Sequence, residues 1–134
     1  VTPRTRIVFI ANPNNPTATI VTKDEVAHFM SRVPERTIVV FDEAYLEFAQ
    51  GPDFPDTLEL VKQGRKVVVL RTFSKANSLA GLRIGYGVAD ADCIALMNRM
   101  GLVSRIRDAE VDRVLDPAPR VMCVLPMPRR ANAR

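Results

Sequence analysis

Tryptophan is absent from this 134-residue chain, histidine occurs once and cysteine twice. Cys93 and Cys123 stand far apart in sequence. They offer neither metal-ligand spacing nor a disulfide framework, so free thiols in a reducing compartment, the cytoplasm, are the expectation. His28, between Ala27 and Phe29, has no second imidazole or carboxylate cluster nearby in sequence and reads as an ordinary helix residue; no metal site is expected. Aromatic residues make up only 6% of the chain. The formal net charge is +4, but basic residues are scattered until Arg120, Arg129, Arg130 and Arg134. Without clustered aromatics, that pattern excludes a nucleic-acid surface from the expected functions. No apolar run approaches the roughly 20 residues that span a bilayer, so no membrane partner is expected. Val1-Thr2-Pro3-Arg4 contains no signal-peptide core and no initiator methionine. A start on valine just before a strand-like run gives the expectation of an internal piece of a larger protein.

Hydrophobic residues reach 47% of the sequence and fall into short blocks. Ile7-Val8-Phe9-Ile10-Ala11 is a β-branched run that stops at Asn12-Pro13-Asn14-Asn15-Pro16, where turn formers end any ladder. Thr22-Lys23-Asp24-Glu25 matches a capping box. Behind it Val26, Phe29, Met30 and Val33 recur at helical spacing, which predicts a helix of about twelve residues. Thr37-Ile38-Val39-Val40-Phe41 and Lys66-Val67-Val68-Val69-Leu70 are continuously apolar, as strands buried on both faces are. Residues 57–62 read as a short helix, 81–88 as another short strand, and Asp90 as the cap of a helix through Ala91, Ile94, Met97 and Asn98. Phe9, Phe41 and Tyr86 are assigned to the core or its edge, and Cys93, Met97 and Met100 to packing. Alternation of helices with solid apolar strands predicts an α/β fold with a parallel sheet covered on both faces.

Asn15, Asp42 and Lys75 each lie just beyond a predicted strand, where open α/β sheets bind their ligands. Lys75 offers an amine that can condense with a carbonyl. Thr72, Ser74 and Arg83 offer two hydroxyls and a planar fork suited to a phosphate. Asp42 could face a protonated ring nitrogen, and Asn15 and Tyr45 could donate to a ring oxygen. Each residue also has a bland reading: a surface lysine after a strand, a turn asparagine, and an Asp42-Glu43 pair that is only a solvated acidic loop.

In combination these segments are more specific. Asn12-Pro13-Asn14-Asn15-Pro16-Thr17, Asp42-Glu43-Ala44-Tyr45-Leu46-Glu47-Phe48, Arg71-Thr72-Phe73-Ser74-Lys75-Ala76 and Leu79-Ala80-Gly81-Leu82-Arg83-Ile84-Gly85-Tyr86-Gly87 resemble, in order and spacing, fold-type I aminotransferases of the histidinol-phosphate group. The resemblance implies part of the large domain of a transferase dependent on pyridoxal 5'-phosphate (PLP), a mostly parallel sheet flanked by helices. It implies Lys75 as the catalytic, cofactor-bearing lysine, Asp42 against the pyridinium, Asn15 and Tyr45 at the ring oxygen, and Thr72, Ser74 and Arg83 at the phosphate. The implied reaction passes an amino group between glutamate/2-oxoglutarate and imidazole acetol phosphate/histidinol phosphate, in a homodimer. A related decarboxylase of a phosphorylated amino acid and a non-catalytic remnant are the alternatives.

The departures are equally definite. Ala18 stands where the family has glycine, so a turn that needs positive φ is strained. Asn77-Ser78 replace an aromatic and a small residue. Residues 1–100 carry the resemblance. Residues 101–134, with Asp116-Pro117-Ala118-Pro119 and Pro126-Met127-Pro128-Arg129-Arg130, do not, and read as a poorly ordered basic tail apart from a short helix at 108–115. A frameshift, a misassembly and a true truncation all account for that tail. The resemblance places a Gly-rich phosphate-binding segment, a ring-stacking aromatic and a substrate-gripping arginine outside this sequence. Half a sheet would also leave an open strand edge and apolar faces exposed.

Overall fold

The apolar runs form the centre of a five-stranded sheet of order β1-β2-β3-β4-β5 in a computed structural model that describes residues 1–49, 51–82, 84–99 and 123–124. β1 (Ile7–Ala11), β2 (Ile38–Asp42) and β3 (Val67–Thr72) are parallel, with Ile10 opposite Phe41 and Phe41 opposite Val69. α1 (Lys23–Arg32) and α2 (Thr57–Lys62) make the right of way between them, since parallel neighbours need a crossover connection. α1 starts as the sequence predicts. The Thr22 hydroxyl accepts from Glu25 N–H and the Glu25 side chain accepts from the Thr22 backbone, which holds the Glu25 carboxyl below its ordinary pKa.

β4 (Gly85–Val88) departs from the parallel expectation: it runs antiparallel to β3. Between the two strands the described residues hold a single 3-10 turn, Ala80–Leu82, and no helix to carry a parallel crossover. Gly85 permits the close approach, because a Cβ there would lie 2.8 Å from the Arg71 carbonyl oxygen. α3 (Ala91–Arg99) follows, capped by Asp90, whose Oδ1 accepts from Cys93 N–H at 2.9 Å. β5 (Cys123–Val124) pairs antiparallel with β4, a strand inside the segment expected to be poorly ordered there. The predicted helix at 108–115 lies outside the described residues, as do Met100 and the rest of the tail.

Alternation along the strands sorts side chains onto two faces. Val39, Phe41, Val67 and Val69 join Val26 and Met30 of α1 and Val61 of α2 in one buried cluster. Val40 and Val68 pack with Ala89 and Ile94 on the other, with Cys93 and Met97 against them as expected. Cover on this second face does not extend to β1: Ile7 is 50% and Phe9 72% exposed. Both-face burial and the core assignment of Phe9 therefore fail at β1, the edge of the described sheet. Phe41 is fully buried and Tyr86 half-buried, as assigned. No described helix is long and apolar enough to cross a membrane.

Ala18 adopts φ 55°, the left-handed region anticipated from the missing glycine. Its amide donates to Asn14 O at 2.9 Å, and Asn14 N–H donates to Thr19 O, so the loop is closed around the strained residue. A non-glycine residue there costs about 1–2 kcal/mol, of which glycine's extra chain entropy returns part. Ala18→Gly should raise the unfolding free energy by about 1 kcal/mol in urea titrations.

Candidate active site

The carboxyl ends of β1, β2 and β3 lie side by side, and each passes into a loop that carries polar groups. After β1, the fully buried Asn12 fixes the loop: its amide donates to Val21 O and its Oδ1 accepts from Val21 N–H, both at 2.9 Å. Its backbone N–H also donates to Asp42 O, joining the loop to the end of β2. Asn15 is thereby presented at the surface, where its Nδ2 donates to the Tyr45 hydroxyl at 3.0 Å. Two residues separated by 30 positions in sequence thus meet. A cleft of about 290 Å³ opens beside them, lined in part by Pro16, Ala18, Ile20 and Phe48.

Asp42 ends β2 with its carboxylate exposed, and its Oδ1 accepts from Ala44 N–H at 3.1 Å. This small turn carries the chain to Tyr45, whose ring lies 5.1 Å from Lys75 Nζ in a cation–π contact. Lys75 is exposed on a turn closed by Ser78 N–H donating to Lys75 O, with Ser78 at φ 58°. Thr72 is buried, and its hydroxyl accepts from Ser74 N–H at 3.1 Å and reaches Ile84 O at 3.4 Å. Thr72 thus holds the turn that presents Ser74. Arg83 lies outside the described residues. A larger cleft of about 510 Å³, lined by Arg36, Lys66, Asp90 and Cys93 among others, sits at the opposite, amino-terminal ends of β2 and β3 and takes no part in this constellation.

Glu43 was missed as anything but a loop acid. It is 1% exposed; Thr57 Oγ1 donates to its Oε1 at 2.5 Å and Arg71 Nε to its Oε2 at 2.9 Å. The available signal was alternation: one residue beyond Phe41 and Asp42, position 43 returns to the buried face. Burial pushes the Glu43 carboxyl above its ordinary pKa, outweighing the opposite pull of Thr57 and Arg71. Burial opposes the Arg71 charge as well, but the neighbouring Tyr86 hydroxyl and the Glu43 carboxylate lift that guanidinium above its usual value. A raised folded-state carboxyl pKa means a contribution to stability that is full in acid and lost as pH rises through the elevated value. The stability lost on Glu43→Gln should therefore be larger near about pH 4 than near about pH 8, read as the difference between wild-type and variant urea curves.

The donor set fits a phosphorylated pyridine aldehyde: an amine, an exposed carboxylate, an amide–phenol pair and a hydroxyl-bearing turn, all beyond adjacent strand ends. Among the described residues no group of three or more His, Cys, Asp or Glu could hold a metal ion.

Comparison with known proteins agrees with that geometry. The sequence profile of the family "Aminotransferase class I and II" matches residues 1–106. Histidinol-phosphate aminotransferase of Akkermansia muciniphila is 54% identical over 99 residues, 74% of this chain and 27% of that protein. Aromatic amino acid aminotransferase of Mycobacterium bovis is 45% identical over 125 residues, 91% of this chain and 35% of that one, a match long enough to run past residue 100. Histidinol-phosphate aminotransferase of Sinorhizobium meliloti, crystallised with pyridoxal-5'-phosphate, superposes with a TM-score of 0.62 at 35% identity, covering 76% of this chain and 26% of that one. The chain thus spans about a quarter to a third of the length of these relatives. With a matched profile over most of its length and the strand-end constellation in place, the chain belongs to the class I and II aminotransferases, a PLP-dependent family.

Proposed function

We propose that these residues are the cofactor-holding part of a PLP-dependent aminotransferase whose complete form passes an amino group between glutamate/2-oxoglutarate and imidazole acetol phosphate/histidinol phosphate, in histidine biosynthesis. The observation that carries this reading is the meeting of Asn15, Tyr45 and Lys75 beyond three strand ends. When bound, PLP supplies an electron sink that stabilises negative charge on the substrate's α-carbon. Lys75 holds the cofactor through its amine and moves a proton at Nζ. Asp42 opposes a positive ring nitrogen, and Asn15 and Tyr45 donate toward the ring oxygen. Ser74, on the turn Thr72 holds, and Arg83 take the phosphate.

A second substrate reading has specific support, since relatives at similar identity bear the name aromatic amino acid aminotransferase. An aromatic keto acid would then replace the imidazole substrate in the complete enzyme. The decarboxylase alternative has weaker support: a solved L-threonine-O-3-phosphate decarboxylase of Porphyromonas gingivalis is 30% identical, with a TM-score of 0.58. The complete protein is proposed to be a cytoplasmic homodimer, with residues 1–100 part of its large domain and residues 101–134 a basic Pro/Arg-rich tail from which β5 returns to the sheet. The 134 residues alone should bind PLP without turning over, because the sequence resemblance puts the ring-stacking aromatic and substrate-gripping arginine elsewhere.

Titration of the purified chain with PLP should produce a visible absorbance band, and borohydride should then fix the cofactor's mass on Lys75. Glutamate should yield no catalytic 2-oxoglutarate. Fixation on another lysine, or no band at all, would remove the cofactor reading; sustained turnover would remove the claim of incompleteness.

A further inference from the structure

Glu43 has no role in the cofactor reading, yet it is the most heavily partnered buried acid in the described residues. Its two carboxylate oxygens are taken by two different elements, Thr57 at the start of α2 and Arg71 in β3. Arg71, with its side chain 19% exposed, stands opposite Tyr86 in the β3–β4 register. The Tyr86 ring in turn lies 5.6 Å from that of Phe73, the residue between Thr72 and Ser74. A continuous line of contacts thus links α2, β2, β3, β4 and the turn that leads to Lys75.

A buried ion pair is a weak device for stability, since apolar side chains of the same volume often do as well. Its distinguishing property is direction: a guanidinium nitrogen bonded to a carboxylate oxygen fixes distance and angle in a way that apolar packing does not. Here the direction is set between the two strands whose next residues belong to the site. Asp42 and Tyr45 flank Glu43, while Thr72, Ser74 and Lys75 follow Arg71.

We propose that Glu43 is a positioning residue: through Arg71 and Thr57 it fixes the β2 end bearing Asp42 and Tyr45 relative to the β3 end bearing Ser74 and Lys75. The inference rests on the cofactor reading above for its purpose, but the clamp itself can be measured without cofactor.

The test uses the full 134-residue chain as wild type, Glu43→Gln, Thr57→Val, and the double variant Glu43→Gln with Arg71→Met. Amide hydrogen exchange is followed without PLP, and PLP binding is followed by absorbance under conditions where each variant is folded. In Glu43→Gln, exchange should rise about tenfold or more at both 42–46 and 72–79, with α1 unchanged, and PLP should bind at least about tenfold more weakly. The double variant removes the stranded guanidinium and should regain its unfolding midpoint without regaining PLP affinity. Should Glu43→Gln not fold, Thr57→Val keeps the ion pair and should show the same two-ended pattern at about threefold amplitude. Exchange that rises only around position 43 would overturn the proposal whatever PLP does. A double variant that recovers affinity together with stability would overturn it too, leaving Glu43 a merely structural residue. If exchange responds at both ends while wild type gives no PLP band, the cofactor reading fails and the clamp stands.

Discussion

Lys75→Ala should abolish the visible band that PLP acquires on the wild-type chain, with no corresponding loss of fold. The band requires a covalent bond to an amine, and the chain has four lysines, at positions 23, 62, 66 and 75. Lys23 and Lys62 are paired with Asp53 at 3.8 Å and Glu59 at 3.5 Å on exposed surfaces. Lys66 lies in the cleft at the amino-terminal end of β3, the wrong end of the sheet for this fold's ligands. Lys75 alone stands beyond the strand ends against a phenol, Tyr45, whose hydroxyl accepts from the Asn15 amide. Its side chain is exposed, and the contact with Tyr45 contributes about 0.5–1 kcal/mol, so the variant should unfold close to the wild-type midpoint. Lys75→Arg keeps that cationic contact but should also give no band, which separates covalent chemistry from charge. A band of full intensity in either variant would assign the cofactor to another lysine. Lys62→Ala serves as the control and should leave the band unchanged.

The strands that place Lys75 were legible because their apolar runs are continuous and end in turn formers, and α1 because its capping box is explicit. The strain at Ala18 was also legible, since only a missing Cβ relieves a positive φ. Other features were set by contacts that no local pattern carries. The direction of β4 depends on the absence of a crossover helix and on Gly85 allowing a close approach to Arg71. Phe9 and Phe41 both lie in apolar strand runs but meet opposite fates: Phe41 points to the face covered by α1 and α2, whereas Phe9 points to the second face, which is covered over β2 and β3 and not over β1. Glu43 looked like half of a solvated pair, and only its position on the pleat opposite Arg71 and Thr57 makes it a buried junction. For the site itself, the residue types and order were readable; the Asn15–Tyr45 bond and the Lys75–Tyr45 contact required the fold.

The contrast between those two phenylalanines yields the largest stability effect expected for a single substitution. Phe41 is 0% exposed and sits between Ile10 and Val69 in the register, against the cluster formed with Val26, Met30 and Val61. Truncation to alanine removes a full ring from that cluster and leaves a cavity that flanking strands cannot close, at about 3–5 kcal/mol. Whole domains hold only about 5–15 kcal/mol. This one already exposes Ile7 and Phe9, so its surplus lies toward the lower end. Phe41→Ala should therefore lose most or all of its cooperative urea transition at 25 °C. PLP binding should go with it, because Asp42 is the next residue on the same strand. Phe9→Ala removes the same ring from a side chain that is 72% exposed and should change stability by no more than about 0.5 kcal/mol. Equal effects from the two substitutions would mean that the pleat is assigned to the wrong faces. The positions of Asp42 and Glu43, which follow from that alternation, would then fall together.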